Sequence, residues 1–158
     1  MSTFYELQND LVGNTDLSVV LRKAKVLAYR LENSEFKAWI ENELNGYWDV
    51  ESTDLPSYRV LETIAQGDFM NGGWKISSHL IPISSVPEQF QPHFRDVWFT
   101  QGIKELEAMI GDASKDGNIM IAIPQELCRL LDNKVFERTQ CMRVWKSISR
   151  SKIAQIPY

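Results

Sequence analysis

Residues 17–46 read LSVVLRKAKVLAYRLENSEFKAWIENELNG, and this stretch decides the fold of the first third of the sequence. Its apolar side chains recur every three or four positions, which is the spacing of one face of an α-helix. The recurring residues are Leu17, Val20, Leu21, Ala24, Leu27, Ala28 and Leu31, followed by Phe36, Trp39, Ile40 and Leu44. Asp16 or Ser18 can cap the first helix. Ser34 begins the second helix, and Gly46 follows it where a left-handed residue commonly ends a helix.

A shorter helix precedes these two. Phe4, Leu7 and Leu11 have the spacing of one helical face, and Gly13-Asn14 ends the pattern. The connections between the three helices are only a few residues long, so the helices should be antiparallel neighbours. The sequence therefore predicts a three-helix layer over residues 3–46.

After Tyr47 the helical period is lost. Residues 58–69 and 74–81 are predicted as two strands of a hairpin, because Asn71-Gly72-Gly73 favours a turn that needs positive φ. The remaining expectations are one long helix from Glu88 or Pro92 to Ile110, a polar loop over 111–117, a buried strand over 119–123, a short helix from Pro124 and a final strand or bent hairpin over 134–148. We therefore predict one α+β domain over 1–158, with a small antiparallel sheet in its mixed α/β part (58–148).

The composition is typical of a folded, soluble domain. The 158 residues are 44% hydrophobic and 24% charged, which is enough apolar material for a core. No apolar run approaches the roughly 20 residues that span a membrane. The N-terminal residues also lack the basic and apolar segments of a secretory signal. We expect a cytoplasmic protein with no membrane partner, in which Cys128 and Cys141 are free thiols in a reducing compartment.

The net charge of −4 is distributed unevenly along the chain. Residues 129–158 hold seven basic and two acidic residues, so this basic C-terminal stretch carries +5 and the rest carries −9. Acidic residues gather around the end of the third predicted helix, between Glu35 and Asp54. A solvated surface is the simplest interpretation, and the alternative is a pair of docking surfaces for opposite charge. The possible interaction residues are Glu41, Glu43, Arg143, Lys146 and Arg150.

No catalytic constellation is recognisable in the sequence. The glycines match neither GxxxxGK[ST] nor a strand–GxGxxG–helix unit, and no GxSxG elbow is present. His79 and His93, like the two cysteines, are spaced too widely for the usual zinc-ligand pairs. We therefore predict no catalytic residue, no metal site and no cofactor, and we favour an interaction role over an enzymatic one.

Seven short segments, in order across nearly the whole chain, carry a family resemblance. They are ELQNDL (6–11), LRKAKVLA (21–28), FKAWIENELNGY (36–47), LPSYRV (55–60), IPIS (81–84), QGIKELE (101–107) and SISRS (147–151). Together they resemble the AbiTii-type abortive-infection domain of bacteria, and the two segments between residues 21 and 47 are the most specific. The family pattern gives no agreed catalytic residues, so none is assigned. Relatives usually continue past SISRS into a further helix, whereas this sequence stops at Tyr158, either as a naturally short protein or as part of a longer one.

The resemblance implies an antiphage defence module. We expect it to act through a protein partner, which is either a second copy in a homo-oligomer or an effector of the same defence system. Two alternatives stay open. One is a toxin-type enzyme acting on nucleic acid, and the other is a nucleic-acid-sensing module that uses the basic C-terminal stretch.

Overall fold

The three predicted N-terminal helices are present. The computed structural model describes residues 2–13, 15–111 and 117–156, so Asn14 and most of the predicted polar loop lie outside the described residues. The helices are α1 (Ser2–Val12), α2 (Leu17–Arg30) and α3 (Ser34–Asn45). The side chain of Asn33 accepts the Phe36 N–H at 3.0 Å and caps α3. Gly46 ends α3 with φ of 105°, which confirms the predicted C-terminal glycine.

The second half of the chain forms two antiparallel sheets joined by short helices. The elements are β1 (Val60–Glu62), β2 (Ile64–Asn71), β3 (Trp74–Leu80), α4 (Gln91–Arg95), β4 (Asp96–Trp98), α5 (Ile103–Ile110), β5 (Asn118–Ala122), α6 (Gln125–Cys128), β6 (Gln140–Ser149) and α7 (Arg150–Ile153). Strands β1 and β4 pair alone, and the other four have the order β3-β2-β6-β5. The predicted mixed class with an antiparallel sheet is confirmed.

The expected long helix between Glu88 and Ile110 is wrong. A short helix, strand β4 and helix α5 replace it, because β4 pairs with β1 and the Phe99 N–H donates to the Arg59 carbonyl at 2.8 Å. Val97 and Phe99 are both buried, which is the two-residue period of a strand. Gly102 then lies so close to α3 that an added Cβ would collide with the Leu44 carbonyl.

Two strand predictions are wrong in detail, and the predicted final strand is present as β6, although it begins at Gln140 and not at Lys134. The expected strand over 58–69 is interrupted at Thr63, whose N–H donates to the Arg95 carbonyl while the chain passes from one sheet to the other. Strand β5 is an edge strand with alternating exposure and is not buried. Strand β6 is an inner strand that pairs with both β2 and β5. The hairpin is confirmed, with Asn71 paired to Trp74 and Gly72 at φ of 42°.

The expectation of free thiols is also wrong. Cys128 and Cys141 form a disulfide, with their Cα atoms 5.9 Å apart, which is within the range that a disulfide spans. The link joins α6 to β6 inside a core formed by one face of the sheet. Buried residues of that core include Ala65, Phe69, Phe94, Leu131 and Val144. Fold topology, which the spacing of two cysteines cannot reveal, brings the two sulfurs together.

A second core joins β6 to α5 and α7, and a third joins α5 to the helical layer. Ile148, Leu106 and Ile153 belong to the second core. Leu21, Ala28 and Ile40 meet Ile103 in the third. Helix α5 therefore packs against both the helical layer and the sheets. Among the described helices, none has the length and apolarity needed to cross a membrane.

Candidate interaction pocket

A buried polar cluster fixes α3 against the segment that precedes β1. We define the Glu43 cluster as Glu43, Tyr47, Tyr58 and Arg59. One carboxylate oxygen of Glu43 accepts the Tyr47 hydroxyl at 2.5 Å and also accepts the Tyr58 hydroxyl. The other oxygen accepts from the Arg59 guanidinium. Glu43 is 6% exposed and Arg59 is 0% exposed, so this ion pair is removed from water.

Arg59 also contacts the segment between β4 and α5. Its guanidinium donates to the Gln101 carbonyl at 2.6 Å and to the Phe99 carbonyl at 3.3 Å. It lies 5.2 Å from the centre of the Tyr47 ring. Within the described part of the chain, the Arg59 Nε finds no hydrogen-bond partner. The cluster thus connects α3 to the start of α5 with nearly all of its hydrogen bonds satisfied internally, and a buried charge pair of this kind requires such satisfaction.

The two tyrosines of the cluster act as hydrogen-bond donors. Burial raises the pKa of Tyr47 well above its ordinary range, and the neighbouring Glu43 carboxylate raises it further. Burial also raises the pKa of Tyr58, again with Glu43 contributing. Both hydroxyls therefore stay protonated near neutral pH. A protonated phenol with a raised pKa is a poor general base or nucleophile under those conditions.

A pocket of about 320 Å³ opens beside this cluster. Its lining residues are Leu17, Leu21, Trp39, Glu43, Tyr58, Gln155 and Ile156. Trp39 and Tyr58 are 40% and 39% exposed. The Trp39 indole donates to the Tyr58 hydroxyl at 2.8 Å, and its ring stacks on Phe36 at 6.1 Å between centroids. The pocket therefore has a mostly apolar lining, with Glu43 and Gln155 as its polar groups, and two aromatic residues that a hydrogen bond holds in place.

The predicted acidic interaction residues have different environments. Glu41 lies half-buried on the surface of α3, where its carboxylate is 3.6 Å from the Lys25 ammonium. Glu43 is buried in the cluster described above. Its charge is thus internal, and it contributes to the pocket as one lining group and not as an exposed acid.

The predicted basic residues are also divided. Arg143 has a 66% exposed side chain and donates to the buried Asp68 carboxylate at 2.6 Å. Lys146 is 8% exposed and donates to the Asp96 carbonyl at 2.8 Å. Burial lowers the pKa of Lys146, although Asp96 opposes the shift. Arg150 is half-buried at the start of α7.

The structure does not bring the acidic and basic sets together. Among residues 2–13, 15–111 and 117–156, no ion pair joins Glu41 or Glu43 to Arg143, Lys146 or Arg150. Their role in binding a partner stays a prediction. Glu43 and Lys146 are too buried to act as exposed charges, whereas Arg143 is exposed and Glu41 and Arg150 are partly exposed.

Sequence reasoning missed Tyr47, Tyr58 and Arg59, and it noted Trp39 only as an apolar helix residue. One signal was available for Glu43, which follows Ile40 by three residues and so lies on the buried face of α3. An acid on an apolar face requires a partner of opposite charge. Arg59 could not be assigned as that partner, because the two meet only through the tertiary fold.

Comparisons with known proteins agree with the resemblance. The family model described as AbiTii matches residues 2–158, so the chain belongs to the AbiTii family. Membership implies a role in antiphage defence by abortive infection. Searches of curated proteins and of solved structures found no significant match. Over the described ranges, no group of three or more His, Cys, Asp or Glu residues could hold a metal ion.

Proposed function

We propose that this chain is the interaction module of an abortive-infection system, and that it binds a protein effector of that system through the aromatic pocket beside α3. The observation that supports the proposal is the rim of that pocket. Trp39 and Tyr58 are exposed, yet a mutual hydrogen bond fixes both. Aromatic residues of this kind, surrounding a preformed apolar cavity, are typical of the centres of protein interfaces.

The pocket suits one apolar or aromatic side chain of the partner. Leu17, Leu21 and Ile156 supply its apolar walls. Glu43 is already neutralised by Arg59 and accepts two hydroxyls, so the pocket offers little net charge. Burying an apolar anchor there gives affinity without leaving a charge unpaired. Exposed charges outside the pocket, such as Glu41, would mainly affect the rate of encounter.

A tryptophan substitution with a matched control tests the proposal. Trp39→Ala removes one wall of the rim, whereas Trp74→Ala removes a 59% exposed tryptophan at the hairpin. Both variants would be expressed with their native genetic neighbours. Phage plaque formation, effector co-purification and thermal unfolding would then be measured. We expect Trp39→Ala to lose protection and effector capture while staying folded, and Trp74→Ala to keep both.

The outcomes distinguish the interaction role from the rival enzymatic one. A folded Trp39→Ala variant that protects and captures the effector as well as the wild type would refute the pocket as the binding site. Cleavage of DNA or RNA by the purified chain, abolished by one point substitution, would support the toxin-type alternative instead.

A further inference from the structure

The two edge strands of the four-stranded sheet differ in how open they are to pairing. The edge strand β3 contains Lys75, and Ser78 has φ of 53°. The Ser78 N–H donates to the Asp68 carboxylate at 2.8 Å, where the register with β2 also shifts. A charge and an irregularity of this kind are common ways of blocking pairing at a sheet edge. Strand β3 is therefore a protected edge.

Strand β5 has none of these protections. Its sequence, NIMIA, contains no charge and no proline, and its pairing with β6 is regular along its whole length. Ile119 and Ile121 pack on the core side, while Met120 is 62% exposed on the opposite face. An uncharged, regular edge strand with apolar residues on both faces is a template for another strand.

The backbone groups of β5 alternate in direction. The Ile123 N–H donates to the Val144 carbonyl at 3.0 Å, and the Arg150 N–H donates to the Gly117 carbonyl at 3.1 Å. In an antiparallel pair, every second residue bonds to the neighbouring strand, so these two bonds show that the odd-numbered residues of β5 are the ones that bond to β6. The N–H and C=O groups of Asn118, Met120 and Ala122 consequently point away from β6, toward the open edge.

We propose that β5 pairs antiparallel with β5 of a second copy of this chain, forming one continuous sheet across a two-fold axis at Met120. In that register Met120 faces Met120, and Asn118 faces Ala122 of the partner. Every outward N–H then meets an outward C=O. Ile119 faces the second copy's Ile121 on the core side, so the apolar surface is continuous. Because β5 carries no charge, no like charges oppose each other at the axis.

This inference deepens the proposed function, on which it rests for its biological role, by naming the surface through which copies associate. The aromatic pocket is lined by residues of α2, α3, the Tyr58 segment and the chain after α7. Strand β5 supplies none of those residues. A dimer can therefore form while each copy keeps its own pocket for the effector.

Charge placed at the axis tests the dimer. Met120→Lys sets two like charges opposite each other, and Met120→Glu does the same with the opposite sign. Ile64→Lys is the matched control, because Ile64 is 58% exposed and pairs with Ser147 in the same row of the sheet as Met120. Mass would be measured by light scattering over a concentration series, and folding by circular dichroism.

We expect the wild type and Ile64→Lys to have twice the 18.3 kDa chain mass. Each Met120 variant alone should be monomeric, and an equimolar mixture of the two should recover the dimer. A monomeric wild type, a dimeric Met120→Lys, a monomeric Ile64→Lys or a mixture that stays monomeric would each overturn the proposal. Effector capture by a monomeric Met120→Lys variant would show that the pocket acts independently, so failure of the dimer and failure of the proposed function are distinguishable.

Discussion

Two buried carboxylates, Glu43 and Asp68, each form an ion pair with an arginine, but one arginine is buried and the other is exposed. Glu43 pairs with Arg59, which is completely buried between α3 and the β1–β4 sheet. Asp68 pairs with Arg143 and Lys75, whose side chains are 66% and 50% exposed. The first pair loses water around both charges, and the second loses it around one. From this comparison we expect the exposure of the partner, and not the type of ion pair, to decide how much stability its removal costs.

The largest expected effect comes from removing Arg59. Arg59→Met leaves the Glu43 carboxylate buried without its cation, and we expect a loss of roughly 3–5 kcal/mol in the free energy of unfolding. Urea unfolding at neutral pH measures the change. The double variant Arg59→Met with Glu43→Gln should be more stable than Arg59→Met alone, because no uncompensated charge remains. If Arg59→Met were as stable as the wild type, burial of the arginine would not make the loss of an ion pair more costly.

A smaller effect is expected at Asp68. Asp68→Asn loses the charge-assisted bond to Arg143 but can still accept the Ser78 N–H, so we expect a loss of about 1.5 kcal/mol near neutral pH. The measurement is again urea unfolding, here compared between the two proteins at several pH values.

The pH dependence of that difference has a definite sign. Burial by itself would raise the pKa of Asp68, but the Ser78 amide, Arg143 and Lys75 together lower it below the ordinary value of 3.8. A lowered pKa stabilises the fold above the unfolded value, and the contribution is lost as pH falls through the folded value. The gap between wild type and Asp68→Asn should therefore close below about pH 4. A gap that stays constant into stronger acid would contradict the assignment.

The smallest effect is expected at the exposed partner. Arg143→Gln should cost less than about 1 kcal/mol, because the Asp68 carboxylate keeps the Ser78 N–H and Lys75 as partners when the exposed guanidinium is removed. Glu41→Gln, which breaks the 3.6 Å pair with Lys25, provides a matched surface comparison. Unfolding midpoints in low and high salt measure both variants. A loss at Arg143 as large as the loss at Arg59 would show that exposure does not set the cost.

The elements that could be predicted are those determined by residues close together in the sequence. Helices α1, α2 and α3 follow from apolar spacing within each segment and from Gly46 at the end of α3. The hairpin follows from its glycines. Strand β4 was predicted as helix because its partner, β1, lies more than 30 residues earlier in the chain. The inner position of β6 depends in the same way on pairing with β2.

The candidate pocket was less predictable than the fold. Charge patterning selected Glu43 as a surface acid, but its true partners, Tyr58 and Arg59, come from a different segment and remove it from solvent. Lys146 was likewise selected by charge and is buried. Sequence patterns locate charges along the chain, and only tertiary packing decides which of them face water.

The inner position of β6 has a consequence for the order of folding. The four-stranded sheet is joined only through β6, which is the last of the described strands and pairs with β2 some 75 residues earlier. During synthesis, α2 and α3 can associate before β6 is made. Strands β2 and β3 can then form only a two-stranded hairpin, which is marginally stable in water. Until β6 emerges from the ribosome, β2 and β5 have no strand between them to pair with, so their apolar sides stay uncovered. A nascent chain stalled before Gln140 would therefore expose apolar strand faces that the complete sheet covers.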